Sequence, residues 1–302
     1  MMKTIRLGST GGEVCAIGLG MMRLPTCKAP GAFLRAAMDS GFNFFDHADI
    51  YGGGAAESIF SKSMEGVPRE RYVLQSKCGI RKGFYDLSKG HILASVEGSL
   101  ERLGTDYLDV LLLHRPDALM EPEEIAAAFE TLHTAGKVRH FGVSNMSPAQ
   151  MELLSAALSF PLVADQMQLS LANCPMVDFG LRVNTMEDGA VPRDGGALDW
   201  CRLHGVTVQA WSPLQYGFFS GTFLGSPEFP ALNAELNRVS EVYGVSPMAV
   251  ALAWLLRHPA GIQPITGTTN PDRLPDLAAA CSITLERQDW YSLYRAAGKT
   301  LP

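Results

Sequence analysis

"LDVLLLH", residues 108–114, is the stretch on which the reading of this chain turns. Asp109 is the only polar residue before the run stops at His114. A strand with one wet face alternates polar and apolar residues. A near-continuous apolar run of strand length is instead buried on both faces, as in a parallel sheet covered by helices. Comparable runs lie at residues 14–19, 42–46, 72–77, 139–144, 163–168, 206–211 and 262–266, which makes eight strands. Helical patterns alternate with them, at residues 31–40, 57–64, 88–103, 122–134, 147–158, 197–204, 246–258, 271–280 and 287–297. Their ends are marked: Ser88 caps the third and Gly104 stops it, and Ser147-Pro148 opens the fifth with a capping residue and a first-turn proline.

Eight strands alternating with helices predict a (β/α)8 TIM barrel, here one domain over residues 1–302. The competing fold is a doubly wound open sheet. It needs Gly-x-Gly-x-x-Gly after a strand, and Gly18-Leu19-Gly20 meets Arg23 where the third glycine belongs. The irregular stretches, residues 82–87, 173–196 and 215–229, read as long loops at the C-terminal face, where function concentrates.

Composition excludes several classes. The 302 residues are 47 % apolar, enough for a large core, and carry a net charge of −6 with no basic cluster to bind nucleic acid. The start, Met1 to Arg6, lacks the apolar segment of a signal peptide. The longest apolar run, residues 248–256, falls short of the ~20 residues of a membrane span and reads as a core helix, so no membrane is expected. The six cysteines form no Cys-x-x-Cys and no metal-finger spacing, which points to reduced thiols and a cytoplasmic protein.

In a (β/α)8 barrel the chemistry sits where strands end. Here they end at Asp46, Lys77, His114, Ser144-Asn145, beyond Gln166, and at Trp211-Ser212. One polar residue at a strand end is an ordinary cap. An acid, a lysine and a histidine on three successive strand ends are costly to bury unless they pair. Asp46 and Lys77 are expected to form an ion pair, with Tyr51 folded back over it. An ammonium beside a phenol favours the phenolate, so Lys77 is expected to lower the Tyr51 pKa from about 10. Tyr51 and His114 then present two donors to one oxygen, which suits a carbonyl becoming an alcohol. One acid and one histidine are too few for a metal site. Tyr51-Gly52-Gly53-Gly54 lacks the Gly-Lys-Ser/Thr tail of a phosphate loop, and its glycines read as a tight turn.

The chain resembles the aldo-keto reductases over nearly its whole length. The likeness rests on GFNFFDHADIYG (41–52), QSK (75–77), LLLHRP (111–116), GKVRHFGVSN (136–145) and AWSPL (210–214). It implies the same barrel, with a short N-terminal β-hairpin at residues 4–7 and 13–17 around Gly11-Gly12. It maps the family's catalytic tetrad onto Asp46, Tyr51, Lys77 and His114, with Tyr51 as general acid for hydride transfer from a nicotinamide to an aldehyde or ketone.

The implied cofactor is NADP(H). Ser144, Asn145 and Gln166 would hold its carboxamide, and Trp211 would stack on the ring. Ser212, Leu214 and Gly217 fall in the pyrophosphate-side loop, and Gly20, Met21 and Met22 in the loop after the first strand. Gly267, Thr268 and Thr269 precede a helix whose N-terminus can face phosphate, and Arg273 matches the arginine for the 2′-phosphate. The chain departs from the family at Gly267, where many relatives have lysine, at Asp276-Leu277, and at His47, where a small or hydroxyl residue is more usual. His47 reads either as a pocket residue or as a histidine bonded to backbone. The partner implied is a small carbonyl compound. The other implied reading is a regulatory or redox-sensing NADP(H)-binding subunit, as in the family's channel-associated branch. The intact tetrad favours the enzyme. Substrate and oligomeric state are not fixed by these residues. Phe84, Tyr85, Phe179, Phe218 and Phe219 are candidates for a pocket wall.

Overall fold

Twelve strands carry the fold in the computed structural model, which describes residues 2–301. β1 (Thr4–Arg6) and β2 (Glu13–Cys15) form an antiparallel hairpin with Ile5 opposite Val14. The barrel begins with β3 (Gly18–Gly20), β4 (Phe44–Asp46) and β5 (Val73–Cys78). A small antiparallel ribbon, β6 (Ile80–Arg81) and β7 (Phe84–Tyr85), interrupts the stretch expected to be loop. The barrel continues through β8 (Leu108–Leu113), β9 (Val138–Ser144), β10 (Ala164–Gln168), β11 (Thr207–Trp211) and β12 (Gln263–Thr266). The eight barrel strands are parallel, and the barrel closes where Ile265 and Thr266 of β12 pair with Gly18 and Leu19 of β3.

The run at 14–19 proves to be two strands. Val14-Cys15 belongs to the hairpin, and only the glycine-flanked end belongs to the barrel. At the start of that end, residue 18 has no room for a side chain: a Cβ on Gly18 would lie 2.6 Å from Ile265 Cδ1 and 2.9 Å from Phe44 Cδ1. β8 explains its own sequence. Leu108 and Val110 to Leu113 are buried, and the one acid among them, Asp109, takes Arg69 at 2.7 Å and Arg139 at 3.0 Å on its two oxygens.

The helix signals hold where capping chemistry marks them. Ser88 Oγ accepts from His91 N ahead of Lys89–Leu103, and Gly104 ends that helix at φ 61°. Ser147 and Gln150 form a reciprocal capping box at Pro148–Ser155. Two helices appear where the sequence reading placed none. Pro175–Arg182 lies inside the 173–196 stretch, and Pro230–Tyr243 buries only Leu232, Leu236 and Val239 in a polar context. The helix expected at 271–280 splits into a tight turn, Pro271–Arg273, and a helix, Leu274–Ser282. Pro247–Leu256 is a core helix, buried from Ala249 to Leu255. Among the described residues no single helix is long and apolar enough to cross a membrane.

Asp165 on β10 is fully buried, and among the described residues no well-formed hydrogen bond reaches its oxygens, the amides of Met146 and Asn145 being its nearest donors. Burial, reinforced by Asp194, pushes its carboxyl from 3.8 up to about 8, against the pull of the Met146 and Asn145 amides. Between those two values the native state binds more protons than the unfolded chain, so this group's contribution falls as pH rises. Asp165→Asn is therefore expected to gain on the parent protein between pH 5 and pH 8, by up to about 1.4 kcal/mol per pH unit. Urea unfolding at both pH values checks this, and a gap that does not change with pH refutes it.

Candidate active site

β4 delivers Asp46 to the barrel mouth, and the chain beyond it stays bound to β5. His47 N donates to Gln75 O at 2.8 Å, and Asp49 N to Lys77 O at 3.0 Å. Tyr51 then opens a tight turn whose three glycines have φ of 61°, 65° and 92°. Gly54 has no room for a side chain, since a Cβ would sit 2.8 Å from Arg102 Cδ. Arg102 is itself held by the buried Glu57 at 2.8 Å. The triple glycine thus lets the loop turn tightly and return the phenol to the barrel mouth.

There the charges pair. Lys77 Nζ lies 2.7 Å from each Asp46 oxygen, 2.8 Å from His47 O and 3.2 Å from Tyr51 Oη. Burial pulls the lysine down, but Asp46 and Tyr51 outweigh it and raise its pKa, so Lys77 is a fixed cation. The expectation for Tyr51 is corrected. Burial raises its phenol above the ordinary 10.0, and the opposing pull of Lys77 and Arg115 does not overcome it. The phenol is therefore protonated across the neutral range. His114 meets the Tyr51 ring edge-on, with centroids 6.0 Å apart. Burial, Lys77 and Arg115 all lower its pKa well below 6.5, so the imidazole is neutral.

A layer of glutamines beneath this cluster escaped the sequence reading. Gln166, Gln209 and Gln263 are direct neighbours on β10, β11 and β12, and Gln75 is opposite Asp46. Gln75 Nε2 donates to Asp46 Oδ1 (2.6 Å) and Gln209 Oε1 (2.8 Å). Gln209 Nε2 donates back to Gln75 Oε1 (3.0 Å) and on to Gln263 Oε1 (2.9 Å). Gln263 Nε2 ends the chain on Cys15 O at 2.8 Å. Gln166 Nε2 spends both hydrogens, on Asp46 Oδ1 (3.1 Å) and Gln209 Oε1 (3.0 Å), which leaves Oε1 as its uncommitted atom. The available signal was a glutamine in each of β5, β10, β11 and β12.

On the other wall, Ser144 Oγ donates to Gln166 O at 2.8 Å and accepts from Asn145 Nδ2 at 2.7 Å. Asn145 Oδ1 in turn accepts from Trp211 Nε1 at 3.1 Å. Asn145 and Ser212 adopt φ of 58° and 52°, left-handed turns at two strand ends. These side chains face a cleft of about 750 Å³ that also takes in Gly20, Met22, Asp46, Tyr51, His114, Leu214, Gly267, Thr268 and Arg273. Lys77 lies under its floor. Met21 is turned into the core, and Gly217 and Thr269 lie outside the lining.

Of the aromatic candidates, Phe218 and Phe219 line the cleft, with Phe218 edge-on to Trp211 at 6.0 Å; Phe84, Tyr85 and Phe179 do not. Two arginines that no expectation singled out, Arg23 and Arg115, do line it. His47 does neither thing expected of it. It is fully buried against Phe60 at 4.8 Å, its ring nitrogens have no partner, and burial followed by Lys77 lowers its pKa to about 3. Cys78 beside Lys77 is buried, and burial raises its thiol pKa, so it is unreactive as expected. A smaller hollow of about 440 Å³ beside Trp290 holds none of the strand-end residues.

A model of the Aldo/keto reductase family matches residues 16–297. The 6-dehydroglucose reductase of Agrobacterium fabrum is 39 % identical over 279 residues, covering 88 % of this chain and 86 % of that protein. Oxidoreductase YdhF of Escherichia coli is 35 % identical, over 98 % of each chain. The crystal structure of an aldo-keto reductase from Klebsiella pneumoniae in complex with NADPH superposes with a TM-score of 0.77 at 28 % identity, over 98 % of this chain and 95 % of that one.

Proposed function

The chain belongs to the aldo/keto reductase family, and on that premise we propose that it reduces the carbonyl of an aldehyde or ketone to an alcohol with NADPH, Tyr51 being the general acid. It is an NAD(P)H-dependent oxidoreductase with an NADP(H) site. The observation that carries the proposal is the contact of Lys77 with both Asp46 and Tyr51 at the floor of the cleft that holds His114 and Trp211.

The residues fit the cofactor. Gln166 Oε1 is free to accept from the carboxamide, and Asn145 Nδ2 has one hydrogen left to donate. Gly267 has open space where a Cβ would be, ahead of the turn at Pro271–Arg273. Arg273 makes no ion pair among the described residues, so its fork is free for a 2′-phosphate. When bound, the reduced nicotinamide supplies a hydride to the carbonyl carbon.

The protein's part is the other half of the reaction. Tyr51 gives its phenolic proton to the carbonyl oxygen as that oxygen gains charge. Lys77, 3.2 Å from the phenol oxygen, stabilises the phenolate left behind. Asp46 fixes the ammonium and offsets its burial. The neutral His114 supplies an N–H to the same oxygen, a donor whose own proton is not in play.

The test is titration of the purified protein with NADPH and then NADH, read by tryptophan quenching, followed by a panel of aldehydes. Binding followed by NADPH oxidation is the expected result. Binding without oxidation across the panel transfers the assignment to the regulatory reading. Arg273→Ala is expected to weaken NADPH about tenfold or more while changing NADH little, as loss of a charge-assisted bidentate contact does. Equal weakening of both removes Arg273 from the 2′-phosphate.

A further inference from the structure

We propose that the preferred substrates are carbonyl compounds with a flat apolar body and a carboxylate, and that Arg115 is the residue that selects them; this rests on the reductase reading above. Arg115 follows His114 directly, and its guanidinium carbon lies 6.0 Å from the centre of the Trp211 ring. Among the described residues its side chain makes no hydrogen bond and no salt bridge, although it is half-buried in the cleft wall. A half-buried guanidinium that has an aromatic ring beside it but no hydrogen-bonding or anionic partner is costly, and a bidentate oxyanion relieves that cost.

The surroundings define the rest of the ligand. Met22, Ile50, Phe218 and Phe219 are 40 %, 40 %, 62 % and 55 % exposed, and all face this cleft around Trp211. Exposed apolar side chains gathered in a concave site call for an apolar partner. The one carboxylate in the described lining, Asp46, already has its oxygens on Lys77, Gln75 and Gln166, so it does not compete with an incoming carboxylate for Arg115. Arg23 and Arg273 add positive charge to the lining, although the net charge of the protein is −6. Arg273 is accounted for by the cofactor, whereas Arg115 lies at the catalytic end. Arg115 is next to His114 in the chain and lines the same cleft as Tyr51. A carboxylate held on Arg115 therefore belongs to a molecule whose carbonyl can reach the same two residues.

The experiment compares 4-formylbenzoate and 3-formylbenzoate with their methyl esters at saturating NADPH. Each pair keeps the body and the aldehyde and differs in charge. At least one acid is expected to exceed its ester by about tenfold or more in kcat/KM, mostly through KM, with a preference that shrinks as salt is raised. Arg115→Met should collapse the acid-to-ester ratio to near one, and Arg115→Lys should keep part of it. NADPH quenching in both variants checks that the site is intact. Parity of acids and esters in the parent enzyme overturns the proposal and leaves the reductase reading standing. So does an Arg115→Met variant that lowers acids and esters alike. No NADPH oxidation with any of the four compounds is a different result, and it removes both readings.

Discussion

Tyr51→Phe is expected to lower kcat/KM for aldehyde reduction by roughly 10²–10⁴-fold, the usual cost of losing one acid–base group. The same substitution should leave NADPH affinity within about twofold. The geometry gives both halves of that expectation. The phenol oxygen has one hydrogen-bond partner, Lys77 at 3.2 Å. Removing it leaves the ammonium held by Asp46 and the His47 carbonyl. Loss of one hydrogen bond to a charged group costs about 1.5–3 kcal/mol, and the ammonium keeps three other contacts, so the variant should fold. The groups proposed to hold the carboxamide, Asn145 Nδ2 and Gln166 Oε1, make no hydrogen bond with Tyr51 among the described residues. The raised pKa of Tyr51 adds a pH expectation. A donor is lost as pH rises through its pKa, and this one lies above 10.0. Aldehyde reduction should therefore run flat in Tyr51's proton-donor step from neutrality to pH 9. A Tyr51→Phe enzyme within tenfold of the parent kcat ends the general-acid assignment. A parent profile that falls from pH 7 shows the phenol pKa to be lowered after all.

The sequence was most legible where local chemistry and burial agree. The strand ends at Asp46, Lys77 and His114 could be found because each follows an apolar run, and the barrel brings them to one mouth. Capping made Lys89–Leu103 readable to within a residue. Pro230–Tyr243 was not readable because three apolar anchors in fourteen residues give a weak helical period. The apolar pattern alone joined residues 14–19 into one strand because Ala16 and Ile17 are as buried as their neighbours, whereas the family resemblance had already placed 13–17 in the hairpin. The direction of the Tyr51 shift was missed for a related reason. The neighbouring lysine is visible in sequence, but the depth of burial that outweighs it is a property of the assembled fold. Gln75, Gln209 and Gln263 stayed hidden because each shares its strand with other polar residues and no pattern within one strand sets it apart. Only the strand register shows that the amides of β10, β11 and β12 meet. Arg115 stood in plain view within a motif, but its lack of a partner is a three-dimensional fact.

Lys77→Met should be the most destabilising of the substitutions considered, at about 3–5 kcal/mol, the range for removing one partner of a buried ion pair. Lys77 is 1 % and Asp46 2 % exposed, so water cannot replace the lost ammonium. The variant leaves the Asp46 carboxylate with only the amides of Gln75 and Gln166. Those amides make the second half of the prediction specific. In the double variant Asp46→Asn/Lys77→Met the buried charge is gone, and the asparagine oxygen still accepts from the same two amides. The double variant should therefore be more stable than Lys77→Met alone and recover most of its loss, although it carries one more substitution. Both enzymes should be catalytically poor, since the phenolate of Tyr51 loses its cation in each. Urea unfolding of the parent, both single variants and the double variant closes the cycle, and a coupling of 2 kcal/mol or more is expected for contacting charges of this kind. Additive losses with no coupling place the stabilisation outside the pair. The Asp46–Lys77 contact then serves catalysis alone, and the fold is held by the packing around it.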